Sequence, residues 1–169
     1  LHYRHLDVAS PAEVQSFIWE HPLGVLVNSM GTVAYRRAEF EPAVFDRVVN
    51  VNLNGTMRCC VRFHDLLADS NGCIVNVAST NAFLSTPGQP GYGASKGALV
   101  ALTRSLADAW AHDSIRVNAI APGLVDTRLT AATRDRPDAY TASLDQIPMQ
   151  RWGTVQEMGD AALFLASGL

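Results

Sequence analysis

The sequence predicts an α/β protein built on a parallel sheet, and three observations carry that reading. Short, continuously apolar strand candidates alternate with helical patterns along the whole chain. Those strands lack the in–out alternation of a sheet wetted on one face, so helices should cover both faces. The composition of 169 residues, 48% hydrophobic and 17% charged, suits one domain with a buried core and argues against disordered, collagen-like or coiled-coil structure.

The elements follow in order. Leu1 to Val8 reads as a strand. Ser10-Pro11-Ala12-Glu13 starts a helix, with Ser10 as N-cap, Pro11 at the first position and Glu13 completing a capping box, and it should run to about Glu20. Gly24 to Asn28 is a short apolar strand, a helix starts near Pro42, and another spans Gly55 to Leu67. Asn71-Gly72 is a turn into the buried strand Cys73–Ala78. Tyr92 to Ala111 is a long helix, with Leu99, Leu102, Leu106 and Trp110 at helical spacing. Ile115 to Ile120 is the next strand, closed by Ala121-Pro122-Gly123. Leu124 to Ile147 reads as a short loop-and-helix lid segment, including the polar turn Arg134-Asp135-Arg136-Pro137-Asp138, and Thr154 with Glu157 caps a final helix.

Several function classes are disfavoured. Thirteen Lys and Arg against sixteen Asp and Glu leave a net charge of −3, which is no footprint for nucleic acid or an anionic membrane. No apolar run reaches membrane-spanning length, and no secretion signal is visible. Of the three cysteines, Cys59 and Cys60 are adjacent, so neither a disulfide framework nor a C-x-x-C motif fits, and all three read as buried, reduced thiols. The five histidines show no metal-ligand spacing. Asn54-Gly55-Thr56 matches a glycosylation sequon that carries little weight without a secretion signal.

In parallel sheets ligands bind outside the carboxyl ends of the strands. Asp7, Asn28 to Gly31, Ser79 and Pro122-Gly123 are therefore the first functional candidates. The strongest local signal is Tyr92-Gly93-Ala94-Ser95-Lys96. Tyr92 and Lys96 share one helix face. A free phenol titrates near ~10, and an adjacent ammonium would lower that value, so the pair could shuttle a proton at an alcohol or carbonyl oxygen. Gly93-Ala94-Ser95-Lys96-Gly97 also satisfies G-x-S-x-G, but a loop and not a strand precedes it, which disfavours a hydrolase.

The run Gly72 to Ser79, the Tyr92 to Lys96 segment, and Ile115 to Thr127 together closely resemble the short-chain dehydrogenase/reductase family. So do Asn50-Val51-Asn52-Leu53-Asn54-Gly55-Thr56 upstream and Ile147 to Gly153 downstream, followed by Glu157 and Phe164 to Ser167. The resemblance covers essentially the whole chain in family order. It implies a Rossmann-like doubly wound sheet, of which residues 1–169 would be a single incomplete domain holding the third to sixth of seven strands. The Gly-rich turn that cradles the pyrophosphate, the second strand and the last strand would lie in flanking parts of a longer polypeptide. On that sheet order, the strand ending at Asn28 should expose a bare apolar edge.

The resemblance also implies roles. Tyr92 would be the general acid/base, and Lys96 would lower its pKa and bind the nicotinamide ribose. Ser79 would polarise the substrate carbonyl, and Asn52 would hold a water linking Lys96 to solvent. Asp7 and Val8 would lie at the adenine, Asn28 and Gly31 beside the adenosine ribose, and Pro122, Gly123, Val125 and Thr127 at the nicotinamide carboxamide. The family's Asn-Asn-Ala-Gly stands here as Asn28-Ser29-Met30-Gly31, with a bulkier Met30. The implied activity is NAD- or NADP-dependent interconversion of an alcohol and a ketone or aldehyde, on a 3-oxoacyl-type or small secondary alcohol substrate. A cytoplasmic homo-oligomer, tetramer or dimer, would carry it, with Arg62 and Trp110 as candidate contacts and Phe83 to Thr86 facing the substrate. A non-catalytic cofactor-binding or regulatory member of the same fold, and an epimerase or dehydratase, are the alternatives.

Overall fold

The computed structural model describes residues 2–168. Three parallel strands form one sheet: β1 (Val25–Asn28), β2 (Cys73–Val77) and β3 (Arg116–Ile120), in the spatial order β1-β2-β3. The register pairs Asn28 with Asn76 and Val77 with Ile120, so the carboxyl ends of the strands lie side by side. Strand β2 is central and its first four residues are fully buried. Among the described residues β1 pairs on one side only, and Val25 and Val27 stand 41% and 46% exposed, the bare apolar edge expected above.

The helices are α1 (Pro11–Ser16), α2 (Pro42–Val49), α3 (Gly55–Arg62), α4 (His64–Asp69), α5 (Pro90–Ala109), α6 (Ala131–Arg134), α7 (Pro137–Leu144) and α8 (Val155–Ala166). Helix α5 packs against β3 and α2, α3 against β1 and α1, and α8 against β2 and β3. One core joins Val14, Cys59, Cys60, Phe63, Leu67, Ile74, Leu106, Ile115 and Val117, with Trp110 packed against it. All three thiols are free and buried. No helix among the described residues is long and apolar enough to cross a membrane.

Three expectations about elements are corrected. Residues 2–6 form no strand, since a strand needs a ladder partner and Tyr3 stands in solvent at 91% exposure. Helix α1 stops at Ser16, where Phe17 turns extended and places its ring edge-on against Phe63. Its capping box is half made: Ser10 Oγ accepts the Glu13 amide at 3.3 Å, while Glu13 Oε2 turns to the Asp7 amide at 3.1 Å. The helix from Gly55 breaks at Phe63 (φ −103°, ψ 5°) into α3 and α4. The segment from Leu124 to Ile147 carries α6 and α7, in keeping with the loop-and-helix stretch expected there.

Candidate active site

The Tyr92–Lys96 pair lies in the first turns of α5, and Ser79 lies just past β2, where it caps the Thr80–Ala82 turn by accepting the Asn81 amide at 3.1 Å. The Thr80 amide donates to the Pro122 carbonyl at 2.9 Å, which ties this turn to the loop after β3. The ends of β2 and β3 thus deliver Ser79 and Pro122 to one place, against the amino-terminal half of α5.

Lys96 is 3% exposed, and its Nζ lies 5.8 Å from the centre of the Tyr92 ring and donates to the Val77 carbonyl at 2.6 Å. Burial lowers its pKa from 10.5 to about 8. The Tyr92 phenol moves the other way. Burial raises its pKa first, the Ser79 side chain lowers it by hydrogen bonding, and the Glu39 carboxylate raises it again. The ammonium sits toward the ring and Val77, and the Ser79 hydroxyl, by hydrogen bonding, favours the phenolate.

Asn52 sits in a π-helical turn, Asn50–Asn54, between α2 and α3. It is fully buried, and its Oδ1 accepts the Thr32 amide at 2.7 Å while Nδ2 donates to the Thr32 carbonyl and to Ser95 Oγ, both at 3.0 Å. Its side chain staples the loop after β1 onto α5, and its carbonyl accepts Thr56 Oγ1 at 2.9 Å. Ser95, the G-x-S-x-G serine, is buried inside α5 and donates to the Tyr92 carbonyl, so no nucleophile elbow exists there.

The same π turn anchors the Asp7–Val8 segment. Arg58 donates to the Val8 carbonyl at 2.9 Å and to Asn50 Oδ1 at 2.8 Å, and Asn50 donates to the Ala9 carbonyl. A Cβ on Gly55 would fall 2.8 Å from Val8 Cγ2, so only glycine lets the two chains meet. Asp7 stays exposed, with Oδ1 taken by the Ala9 amide.

Gly31 is exposed, and a side chain there would project to 3.7 Å from Lys96 Nζ and 3.8 Å from Asn52 Oδ1. The glycine keeps open the space in front of both groups. Lys96 uses one of its three donors on Val77 and turns toward that space, and Gly123 is exposed nearby, where its Cβ direction approaches Thr80. These residues fit a flat, hydroxylated cofactor lying across the strand ends. Met30 packs against the core and accepts a contact from Thr56, so its bulk points inward.

Three of the expected cofactor residues have internal partners of their own. The Asn28 side chain is buried in the sheet, donating to Asn76 Oδ1 at 2.9 Å and to Cys60. Val125 is buried and bridges to Gly153. The Thr127 amide is taken by Thr130 Oγ1 at 3.1 Å, whose hydroxyl also donates to the Val125 carbonyl. Pattern reading missed Thr130, and it missed Tyr35 and Glu39, which no periodicity marks. The Tyr35 hydroxyl donates to the Leu129 carbonyl at 2.6 Å, and Tyr35 interacts electrostatically with Tyr92. Arg134 pairs with Asp126 and Asp135, so it is no open anion clamp. A cleft of about 190 Å³ lined by Asp126, Arg134, Tyr140 and Trp152 lies in this segment, apart from Tyr92. Phe83 and Leu84 are exposed, while Arg62 is held by the Phe17 carbonyl at 2.6 Å.

Comparison with known proteins gives consistent results. A family model described as enoyl-(acyl carrier protein) reductase matches residues 2–169. The chain is 41% identical over 150 residues to galactitol 2-dehydrogenase (L-tagatose-forming) of Cereibacter sphaeroides, covering 86% of this chain and 59% of that protein. It is 36% identical to 2-dehydro-3-deoxy-D-gluconate 5-dehydrogenase of Bacillus subtilis, covering 96% of this chain and 66% of that protein. Among solved structures, a gluconate 5-dehydrogenase from Burkholderia cenocepacia in complex with NADP and tartrate superposes with a TM-score of 0.88 at 32% identity, over 96% of this chain and 66% of that one. The chain thus spans about six-tenths to two-thirds of the length of these relatives, and it shares their Rossmann-like α/β fold.

Proposed function

The chain belongs to the short-chain dehydrogenase/reductase family, and from that premise we propose that it carries the proton-transfer part of an NAD- or NADP-dependent dehydrogenase acting on a secondary alcohol or its ketone. The observation that carries this reading is that the Ser79 hydroxyl hydrogen-bonds the Tyr92 phenol while the Lys96 ammonium lies 5.8 Å from the centre of its ring, all at the strand ends. When bound, the nicotinamide supplies or accepts the hydride at the substrate carbon.

The chain's own groups handle the oxygen. Burial keeps the Tyr92 phenol protonated at neutral pH, so in carbonyl reduction it donates its proton to the substrate oxygen. The Ser79 hydroxyl donates to the same oxygen and stabilises the charge that develops there. Lys96, titrating at about 8, meets the phenolate left behind and can return a proton to it. The Asn52 carbonyl has a second lone pair beyond its bond to Thr56, and that lone pair is where we place a relay water. Lys96, Gly31, Asp7, Val8, Asn28, Pro122, Gly123, Val125 and Thr127 would line the cofactor.

The relatives are named for galactitol and for a deoxygluconate, and one solved relative for gluconate. These names support a polyol or sugar acid as the substrate class. Exposed Met57 and Val61 on α3, and Leu163 and Phe164 on α8, support association into a homo-oligomer, and the unpaired buried thiols support a reducing, cytoplasmic setting. The test uses the full-length protein with NAD or NADP and a panel of polyols, sugar acids and 3-oxoacyl thioesters, following the absorbance of the reduced nicotinamide. Tyr92→Phe should cut turnover by at least about a hundredfold with cofactor binding retained. No cofactor-dependent turnover on any panel member, or wild-type rates in Tyr92→Phe, would overturn the reading.

A further inference from the structure

We propose that Glu39 is a positioning residue for Tyr92: its buried carboxylate ties the main chain of Tyr92 to the loop that carries Tyr35, and so aims the phenol at Ser79. This rests on the reading of Tyr92 as the proton-transfer group.

Glu39 lies in the Ala38–Phe40 turn and is 1% exposed. Its Oε2 accepts the Tyr92 amide at 2.8 Å and its Oε1 accepts the Ala34 amide at 2.8 Å. Both oxygens are therefore engaged by main-chain donors, the arrangement that makes a buried carboxylate tolerable. The Tyr92 amide belongs to the first turn of α5, where no intrahelical acceptor exists. The residue before that helix, Gln89, makes no side-chain cap. Glu39 supplies the missing acceptor from 53 residues away, and a negative charge at a helix amino terminus is favourable.

The neighbours are shaped around this contact. A Cβ on Gly91 would stand 3.2 Å from Glu39 Oε2 and 3.2 Å from Phe45 Cδ2, so glycine at that position gives the carboxylate its approach. On the other side, the loop pinned at Ala34 continues into Tyr35, whose hydroxyl holds the Leu129 carbonyl. Arg36 and Arg37 follow, both in the left-handed region at φ 59° and 61°, a strained pair flanked by the two anchored points. Glu39 thus stands where the loop after β1, helix α5 and the segment after β3 are joined.

Its charge also acts on the phenol. The groups facing Tyr92 are Ser79 from the end of β2, Tyr35 and Glu39 from the loop after β1, and Lys96 from α5 itself. Asp46 and Arg47, on the α2 helix that packs against α5, are exposed to water. The Glu39 charge disfavours the phenolate and so holds Tyr92 in the proton-donating form, against the pull of Ser79.

Titration of the phenolate absorbance in the cofactor-free, full-length protein tests this, with Glu39→Gln compared to wild type and each corrected by its Tyr92→Phe counterpart. Removing the charge should lower the Tyr92 midpoint and leave more phenolate at a given pH below it. The pH profile of turnover should move the same way, and Glu39→Asp, which keeps the charge, should stay closer to wild type. A Glu39→Gln protein that loses thermal stability with an unmoved Tyr92 midpoint would reduce Glu39 to a structural role and overturn the proposal. Should that variant not fold, hydrogen exchange on the wild type decides: slow exchange at both Ala34 and Tyr92 amides supports the tie, and fast exchange at either one refutes it. The titration needs no turnover, so a shifted midpoint in a protein without dehydrogenase activity would refute the proposed function and leave the positioning of Tyr92 by Glu39 standing.

Discussion

Lys96 carries a cost that its function explains. Below pH 8 both the folded and the unfolded chain hold its proton, and the folded chain must bury the charge. Between about 8 and 10.5 the folded chain has released that proton while the unfolded chain retains it, so this contribution to stability rises with pH. Lys96→Met should therefore gain most on wild type below pH 8, with the gain shrinking toward pH 10.5. The pH-dependent part amounts to about 3 kcal/mol, read from denaturant unfolding at a series of pH values. A gap that does not change with pH would contradict the burial of the ammonium. Ser79 separates two roles in the same way. Ser79→Ala loses the cap on the Asn81 amide, about 1 kcal/mol, and loses a donor at the reacting oxygen, a roughly hundred- to thousandfold fall in kcat. A fall in stability without a fall in kcat would leave Ser79 as a cap alone.

The helices divide by whether their ends are satisfied locally. Helix α8 carries a complete capping box: Thr154 Oγ1 accepts the Glu157 amide at 3.2 Å, and Glu157 accepts the Thr154 amide at 2.7 Å. Arg151 adds two bonds to the same carboxylate and, with the Thr154 bonds, lowers the Glu157 pKa to about 2. Thr154→Ala should cost about 1 kcal/mol at neutral pH, measured by thermal or denaturant unfolding. The Glu157 contribution is fully present above its unfolded value of 4.5 and fades as pH falls through about 2, so the penalty of Thr154→Ala should shrink in acid. Helix α5 is the opposite case, since its amino terminus is capped from a distant turn. The π turn Asn50–Asn54 is the third kind of joint. It turns Asn50 toward Ala9, where Arg58 also grips it, and seals Asn52 inside, so one local irregularity anchors both the Asp7–Val8 segment and the Thr32 loop.

Across the molecule, one packed core unites α1, α3, α4, α5 and two strands, and Cys59 and Cys60 are part of it. Burial pushes Cys59 up to about 11 and Cys60 up to about 12, so neither forms a thiolate at neutral pH. Alkylation of Cys59 and Cys60 should track global unfolding as one cooperative step. Labelling of either thiol before the unfolding transition, followed by mass spectrometry, would show that the α3 region opens independently. The face of the sheet edge behaves differently, because Val25 and Val27 of β1 remain accessible to solvent while β2 is enclosed on both sides by its neighbours.

Short-range patterns already declared most of this. The apolar runs at Cys73–Val77 and Arg116–Ile120, the caps at Ser10 and Thr154, the turn at Asn71 and the Tyr92–Lys96 spacing are legible in sequence because each depends on backbone preference or on neighbours within one or two helical turns. The strand-end rule singled out Ser79, and the resemblance to a known family added Asn52. The folded chain alone decided that residues 2–6 form no strand, that Phe63 breaks a helix, and that Asn28 turns into the sheet toward Asn76. It also decided that Glu39, 53 residues before Tyr92, holds the helix bearing it, and that the Ser79 hydroxyl, by hydrogen bonding, favours the Tyr92 phenolate. Those outcomes depend on which partner lies across a packed interface and how much water is excluded there, and neither quantity exists until distant segments meet.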